Sequence, residues 1–284
     1  LLKRYEEKKE AGLDIRLLNA KELAEIEPNL AADTLLAATW YLQGRIWPFS
    51  YLFALVSRGR EAGLTVRENT RVKELYVEGG TCRGVVLEAG DVIPAEQVIL
   101  CAGSGARGLC LGVGLDIPVY TVKAECFVSE ALAPFVRNYY SSAGFFAEAH
   151  DPNAAAASLC IAQSEHGNLL IAETTKPDFL YEARYADATS PEHCRKVSAL
   201  ALEYFPALRD VSIQRSWVTQ SPYTPSGLPV FGPGGVPGLF LAAGFKSCAV
   251  MSRLVGELTR DYLERGTCRY DLREFTDQIR KVSA

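Results

Sequence analysis

The amino-acid sequence predicts a mixed α/β fold. Two short apolar segments, "VILCAG" (98–103) and "LFLAAG" (239–244), end on Ala-Gly, as do parallel strands that bring backbone amides to the carboxyl edge of a sheet. Between them, segments such as "ASLCIAQSE" and "NLLIAETT" have the polarity of antiparallel strands. Helix start and stop signals flank the other apolar stretches, so helices and strands alternate along the chain.

The first quarter of the chain favours two helices. The segment "IRLLNAKELAEIEPNL" reads as helical, with Asn19 as an N-cap three residues before Glu22 and Pro28 ending the pattern. A second helix is predicted from about Pro48 to Ala62. Short strands bounded by turn residues follow, and we predict four of them: "LTVREN", "RVKELYVEG", "CRGVVLEAG" and "QVILCAG".

Strands dominate the middle of the chain, with one helix near its end. That helix begins at an N-cap Ser190, has Pro191 at its first helical position and stops before Pro206. The last long helix is predicted from about Ser247 to Arg265, and Gly266 supplies its stop signal.

Composition excludes several classes of function. The chain has 284 residues, and its 34 acidic and 30 basic side chains are mixed without a basic stripe, which argues against nucleic-acid or anionic-membrane binding. No run approaches the roughly 18 apolar residues of a membrane span, and the N-terminus lacks an apolar signal core. The eight cysteines form no CxxC pair, so we expect buried free thiols and a cytoplasmic protein.

No metal or self-contained nucleotide motif emerges. His150, His166 and His193 have no metal-ligand spacing, so no metal is predicted. The "GSGARG" segment (103–108) has glycines at fingerprint positions, but the strand and acid expected further on are missing. For the two Ala-Gly strand ends, the alternative interpretation is that the glycines only let the backbone turn.

Most of the chain resembles FAD-dependent amine and amino-acid oxidoreductases of the D-amino-acid oxidase superfamily. The resemblance rests on segments in the family's order: "LNAKELAEIEPNL", "GRIWP", "REAGLTVRENTRVKEL", "GVVLEAGDVIPAEQVILCAGSGARGL", "LDIPVYTVKAECFVSE", "NLLIAET", "SWVTQSPYTPSGLPVFGP" and "PGLFLAAGFKSCAVMSRLVGELTRDYLERG". It implies a partial FAD-binding Rossmann-like domain interleaved with a mixed-sheet substrate domain. The substrate domain would comprise 1–50 and 115–217, and the remainder of the FAD domain 51–114 and 218–284.

The resemblance also implies contacts for a non-covalent FAD. Its ring would be wrapped by the loop and helix start after the second Ala-Gly strand, and its adenine and middle part would lie near the first. The implied residues are Val72, Ala102, Gly103, Gly244, Phe245, Lys246, Ser247, Cys248, Ala249 and Val250. Arg215, Tyr223 and Lys246 are candidates for polar roles toward the substrate, and no catalytic acid or base is assigned.

Several departures from the family pattern limit this carry-over. The glycine-rich first βαβ unit that holds the FAD diphosphate is not among these residues, so the chain by itself is expected to bind FAD weakly or not at all. We also expect exposed apolar faces on the strands at "VILCAG" and "LFLAAG", because parallel strands normally need cover on both sides. Ala249 stands where glycine is usual, and Ser226 where an acid is common. Ser221 occupies the position of a carboxylate-binding arginine in glycine oxidases. No cysteine lies between Trp217 and Pro225, which argues against covalent flavin attachment there.

The implied activity is oxidation of a C–N bond in an amino acid or secondary amine by hydride transfer to FAD, which gives an imine. Two alternatives stay open. The chain could be a non-catalytic or electron-relay subunit of a multi-chain dehydrogenase, or a flavin-free ligand-binding domain. Expected partners are a small amino-acid or amine substrate and a partner subunit or second copy of the chain.

Overall fold

The computed structural model of the protein describes residues 1–142, 158–174, 189, 191–245 and 248–282. The chain divides into two compact units. The first comprises Leu1–Gly44, Val122–Pro177 and Arg184–Gln220, and the second contains Arg45–Thr121 and Ser221–Ala284. These limits lie near the predicted domain boundaries at 50, 114 and 217. The roles of the two domains, substrate binding and FAD binding, stay a prediction.

Helices and strands alternate through the described residues, and the predicted mixed α/β class is confirmed. The helices are α1 (Leu2–Glu10), α2 (Ala20–Ile26), α3 (Pro48–Glu61), α4 (Ala106–Leu111), α5 (Pro191–Tyr204), α6 (Cys248–Arg265) and α7 (Arg273–Thr276). The strands are β1 (Ile15–Leu18), β2 (Ala38–Tyr41), β3 (Val72–Glu78), β4 (Thr81–Leu87), β5 (Val92–Pro94), β6 (Val98–Leu100), β7 (Leu115–Asp116), β8 (Tyr120–Ala131), β9 (Tyr140–Ser141), β10 (Ser158–Gln163), β11 (Asn168–Thr174), β12 (Ile213–Tyr223), β13 (Val230–Pro233), β14 (Leu239–Ala243) and β15 (Arg280–Lys281).

The first unit is built on a five-stranded sheet in the order β12-β8-β11-β10-β9. Strand β11 pairs antiparallel with both β8 and β10. Phe127, Ile161 and Leu169 belong to the sheet's apolar core, and Val197 of α5 and Leu23 of α2 belong to the same cluster. One face of the sheet is therefore covered by helices, as an amphipathic sheet requires.

Buried Glu27 anchors a loop of the first unit. Its carboxylate is 3% exposed and accepts hydrogen bonds from the backbone N–H groups of Arg137 and Asn138, at 3.0 Å each to Oε2. The side-chain Nδ2 of Asn138 donates a further bond of 3.2 Å. A buried carboxylate is stable only when such donors replace its lost hydration, so this loop and Glu27 depend on each other.

The second unit is layered around β14. This strand pairs antiparallel with β13 and parallel with β6, and all five of its residues are buried. Leu239 and Leu241 face a cluster that includes Leu75 of β3, whereas Phe240 packs in a second cluster with Leu258 of α6. Because both faces are covered, β14 is apolar throughout instead of alternating.

Helix α3 is the exception to this layering, because none of its residues is buried. Phe49, Leu52 and Phe53 are all more than half exposed, and Phe53 reaches 67%. A hydrogen bond of 2.7 Å joins Tyr51 Oη to Ser252 Oγ of α6. Exposed large apolar side chains on one helix mark a surface suited to association.

The structure corrects three sequence-based predictions. Residues 15–18 form strand β1, paired with β2, and not the start of a helix, because the partner strand offers ladder bonds that local propensity cannot anticipate. Residues 64–69 form no strand, and Asn69 has a positive φ of 52°. We also expected exposed apolar faces on both Ala-Gly strands. This holds for Ile99 of β6, which is 45% exposed, and is wrong for β14.

Other predictions are confirmed. Asn19 caps α2 through a complete capping box with Glu22, and α3 occupies the predicted range. Helix α6 ends before Gly266, whose φ is 72°. The predicted N-cap Ser190 lies outside the described residues. Among the described helices, none is both long and apolar enough to cross a membrane.

We predict that Glu27→Ala lowers the free energy of unfolding by about 2–5 kcal/mol, because two backbone N–H groups lose their acceptor at roughly 1–3 kcal/mol each. Denaturant unfolding of the protein measures this loss. The matched control is Glu25→Ala, since Glu25 is exposed in the last turn of α2, two residues before Glu27, and its removal should change stability by no more than about 0.5 kcal/mol. Equal effects of the two substitutions would contradict the anchoring role of Glu27.

We further predict that the chain self-associates through the exposed face of α3. Sedimentation velocity over a wide range of concentration should show the association, and Phe53→Glu should weaken it by placing a charge in the apolar contact. Leu36→Glu is the control, because Leu36 is a fully exposed leucine of the first unit. A wild-type chain that stays monomeric throughout would refute this prediction.

Candidate functional site

The two parallel strands of the second unit bring their carboxyl ends to one edge of the sheet. Leu100 of β6 lies beside Leu241 of β14 in parallel register. The segments that leave these strands, 101–103 and 244–245, therefore emerge at the same edge. In open α/β sheets, ligands bind outside the carboxyl ends of parallel strands.

The first segment at this edge is small and open. Cys101 and Ala102 are exposed. Gly103 follows with a φ of 55°, and no atom lies within 4 Å of where its Cβ would stand. Helix α4 begins soon afterwards, at Ala106. The chain at this point leaves room for another molecule to approach its backbone.

The second segment turns sharply at Gly244. Its φ is 75°, and a Cβ at this position would lie 2.7 Å from Thr224 Cγ2. Both the backbone conformation and the neighbouring side chain therefore require glycine. Phe245 then packs its ring against Phe231, with centroids 5.9 Å apart. The turn is held on its inner side by this packing.

Helix α6 starts directly beyond this turn. Cys248 and Val250 are exposed in its first turn, and Ala249 is half-buried. The first backbone N–H groups of a helix lack intrahelical acceptors and carry the positive end of its dipole, so they favour an electron-rich neighbour. The predicted contact residues Lys246 and Ser247 lie outside the described residues.

Tyr223 and Arg215 have different surroundings, although both belong to β12. Tyr223 is buried, with its ring 6.2 Å from that of Tyr120. Burial raises the pKa of the Tyr223 phenol, so at neutral pH this side chain is an uncharged hydrogen-bonding group and not a base. Arg215 is exposed in the first unit, and its guanidinium lies 5.4 Å from the ring centre of Trp217.

Val72 lies at a different place in the second unit. It opens β3, is half-buried and is paired with Leu87 of β4. Leu75 of the same strand shares a core cluster with Leu100 and Ala106. Strand β3 is thus packed beneath the segment that follows β6, and the predicted contact of Val72 with an adenine stays a prediction.

A cleft of about 440 Å³ lies at the opposite, amino end of β14, where Gly238 and Leu239 begin the strand. It is therefore not the site formed at the carboxyl edge. Among the described side chains, no group of three or more His, Cys, Asp or Glu is arranged to hold a metal ion. Of the three histidines considered above, His166 is exposed beside Glu165, and the side chains of the other two lie outside the description.

Sequence reasoning missed residues that support the Gly244 turn. Thr224 is 1% exposed and contacts the position where a Gly244 side chain would be. The ring of Tyr120 packs against that of Tyr223. The side-chain amide of Gln278 donates hydrogen bonds to the carbonyl oxygens of Leu228 and Pro229. The "TPSG" segment predicts a turn at Thr224. Nothing in the local sequence links Gln278 to this turn, because Gln278 and Thr224 lie more than fifty residues apart.

Comparison with known proteins identifies relatives of the chain. A glycine oxidase of Geobacillus kaustophilus is 28% identical over 278 residues, covering 95% of this chain and 68% of the relative. The hydrogen cyanide synthase subunit HcnC of Pseudomonas protegens is 26% identical over 249 residues, covering 86% of this chain and 55% of the relative. The chain thus spans between about half and seven tenths of the length of these relatives.

Solved structures and a family model extend the match. The crystal structure of glycine oxidase from Geobacillus kaustophilus superposes with a TM-score of 0.80 at 27% identity, covering 97% of this chain and 70% of that one. L-Proline dehydrogenase from P. horikoshii shares the fold, with a TM-score of 0.79 at 23% identity, and the match covers 94% of this chain and 69% of that one. Residues 1–262 match the model of the DAO family, described as FAD dependent oxidoreductase. The resemblance seen in the sequence is thus confirmed, and the chain belongs to the DAO family of FAD dependent oxidoreductases.

Proposed function

We propose that the protein oxidises a C–N bond in a small amino acid or amine to an imine, with FAD as its cofactor. The observation that carries this proposal is the start of α6 immediately after the Gly244 turn, at the carboxyl edge of two parallel strands, in a chain of this family. When bound, FAD supplies the ring that accepts a hydride from the substrate carbon. The protein contributes orientation and electrostatics.

The residues at this edge fit a flavin. The middle of the cofactor needs a backbone that it can approach closely, and the open space at Gly103 together with the small exposed side chains of Cys101 and Ala102 provides one. In this proposal the ring lies against Gly244, Phe245 and the first turn of α6, where unpaired N–H groups stabilise the electron-rich reduced form. The middle of the cofactor lies near Ala102 and Gly103, and Val72 meets the adenine.

Of the two substrate candidates that lie within the described residues, Tyr223 is the better supported. Its phenol is buried, uncharged and held against Tyr120, so it can offer a directed hydrogen bond to a polar group. Arg215 remains a second candidate for holding a carboxylate, through its guanidinium beside Trp217. The proposed substrate differs from that of a simple glycine oxidase in its recognition, because Ser221 replaces the arginine that the family resemblance implies at that position.

A second candidate function, one of the alternatives left open by the sequence, is that of an electron-relay subunit of a multi-chain dehydrogenase. The similarity to HcnC, which is named as a subunit of hydrogen cyanide synthase, favours it. The exposed apolar face of α3 supports the same interpretation, because a partner chain would cover Phe49 and Phe53. In this case the flavin chemistry is shared with the first proposal and the partner accepts the electrons.

The test is a visible spectrum of the natural polypeptide that contains these residues, followed by anaerobic addition of glycine, sarcosine, D-alanine or L-proline. We expect flavin absorption in the purified protein and its bleaching by at least one of these amines. Bleaching only when a co-purified partner is present would favour the subunit function. A protein that stays colourless after incubation with FAD would overturn both candidates and favour a flavin-free ligand-binding domain.

We predict that Gly244→Ala destabilises the protein by about 1–3 kcal/mol, because the new side chain combines a strained φ with a clash against Thr224 Cγ2. Thermal unfolding measures the loss. Gly256→Ala is the matched control. Gly256 lies inside α6 with open space around it, so alanine there should be neutral or stabilise by up to about 1 kcal/mol. A Gly244→Ala protein as stable as wild type would contradict the requirement for glycine at the turn.

We also predict that, in the natural polypeptide that contains these residues, Ala249→Leu abolishes FAD binding while the melting temperature of the FAD-free form stays nearly unchanged. The larger side chain would stand where the flavin ring approaches the first turn of α6. Titration with FAD and thermal unfolding of the FAD-free form separate the two effects. If the FAD-free protein instead loses roughly 1–3 kcal/mol, as overpacking of a core would cause, and keeps its flavin, the assignment of this turn to the ring is wrong.

A further inference from the structure

Gln278 bonds a distant turn of the second unit through its side-chain amide. Its Oε1 accepts a hydrogen bond of 2.6 Å from Ser226 Oγ. Its Nε2 lies 3.3 Å from Leu228 O and 3.2 Å from Pro229 O, with Phe275 O also at 3.3 Å. Both ends of the amide are thus engaged, and three of its four partners, Ser226, Leu228 and Pro229, belong to one short turn.

The turn from Thr224 to Pro229 depends on the same hydroxyl that Gln278 holds. Ser226 Oγ accepts a hydrogen bond of 3.2 Å from Leu228 N, and Thr224 Oγ1 donates one of 2.6 Å to Leu228 O. A serine hydroxyl has one hydrogen to donate, and its shortest bond directs that hydrogen to Gln278. Loss of Gln278 would remove its hydrogen bonds to Ser226, Leu228 and Pro229 from the turn.

The turn from Thr224 to Pro229 packs directly against Gly244. A Cβ on Gly244 would meet Thr224 Cγ2 at 2.7 Å and Pro229 Cα at 3.8 Å. The next residue, Val230, is paired with Ala243, which directly precedes Gly244. A shift of the turn therefore moves the backbone from which Gly244 leaves β14.

We propose that Gln278 is a positioning residue that sets the geometry of the Gly244 turn, and through it the place of the flavin ring. The inference rests on the proposed function. Gln278 acts through Ser226, Leu228 and Pro229 and is not assigned a contact with FAD or substrate.

Two variants of Gln278, made in the natural polypeptide that contains these residues, test the link, and each has two readouts. Gln278→Ala removes every bond of the amide, and Gln278→Glu keeps its size but loses the Nε2 donor. Hydrogen exchange of the FAD-free protein reports directly on segments 224–230 and 241–245. We expect exchange there to accelerate by about tenfold or more as local opening becomes easier. FAD affinity should fall by a similar factor, with altered fine structure in the flavin absorption band.

Asp277→Ala is the matched control, because Asp277 is the exposed neighbour of Gln278 on the same segment. It should leave both readouts within about twofold of wild type if the effect belongs to the amide. Faster exchange throughout the protein in Gln278→Ala, matched by Asp277→Ala, would show only a loosened C-terminal segment and would overturn the proposal.

A rescue experiment separates positioning from simple destabilisation. Ser226→Asp alone should weaken FAD binding, since the amide must rotate away from Leu228 O and Pro229 O to meet the carboxylate. Ser226→Asp combined with Gln278→Arg should restore exchange and flavin spectrum, because a guanidinium has enough donors for the carboxylate and both carbonyls. Additive losses in the double variant would contradict the coupling.

The two readouts also distinguish this inference from the proposed function. If wild-type protein binds no FAD while Gln278→Ala accelerates exchange at 241–245, the proposed function and the flavin role of Gln278 both fail, and only its hold on the turn survives. If FAD binds and neither Gln278 variant changes exchange or spectrum, the proposed function stands and the positioning role of Gln278 is overturned.

Discussion

Burial of β14 on both faces is the constraint on which the second unit depends. A strand of five residues can lose all contact with water only if every backbone group is paired and every side chain is apolar. Neighbouring β13 and β6 supply the pairing, and the two clusters around Leu241 and Phe240 supply the packing. The strand end is therefore fixed in space, and so is the turn that follows it.

The Gly244 turn converts that rigidity into a site. Its left-handed backbone redirects the chain toward α6 within a few residues, and Thr224 leaves no room for a side chain at the corner. Sites placed on such over-determined backbone are held more accurately than sites on free loops. In the proposed function, the orientation of the flavin depends on this turn, which gives its buried packing a role beyond stability.

In both units, polar side chains form hydrogen bonds with the backbone of a loop that is distant in the sequence. Glu27 holds the backbone at Arg137 and Asn138, and Gln163 accepts from Phe135 N and Val136 N in the same unit. Gln278 does the same for the turn at Ser226 and Leu228 in the second unit. In each case a buried or half-buried side chain forms the hydrogen bonds that water would otherwise form with the backbone of the loop. These backbone groups have no hydrogen-bonding partner in a strand or helix. Such hydrogen bonds fix the conformation of a loop without requiring additional residues.

The sequence by itself determined the features whose causes lie within a few residues. The capping box at Asn19 and Glu22, the stop at Gly266 and the range of α3 all follow from interactions between near neighbours in the chain. The two Ala-Gly strand ends could also be predicted, because each is a short apolar run with its own glycine. The family could be predicted because the segments that resemble it follow one another in the family's order along most of the chain.

Only the tertiary structure decided what depends on distant partners. Residues 15–18 could have continued a helix, but strand β2 pairs with them, whereas residues 64–69 have strand-like composition and form no strand. The exposure of Phe53 on α3 and the bonds from Gln278 to the turn at Leu228 likewise depend on which surfaces meet when the chain folds. Local propensity is worth tenths of a kcal/mol per residue, whereas pairing and burial contribute about one or more, so the long-range interactions prevail wherever the two disagree.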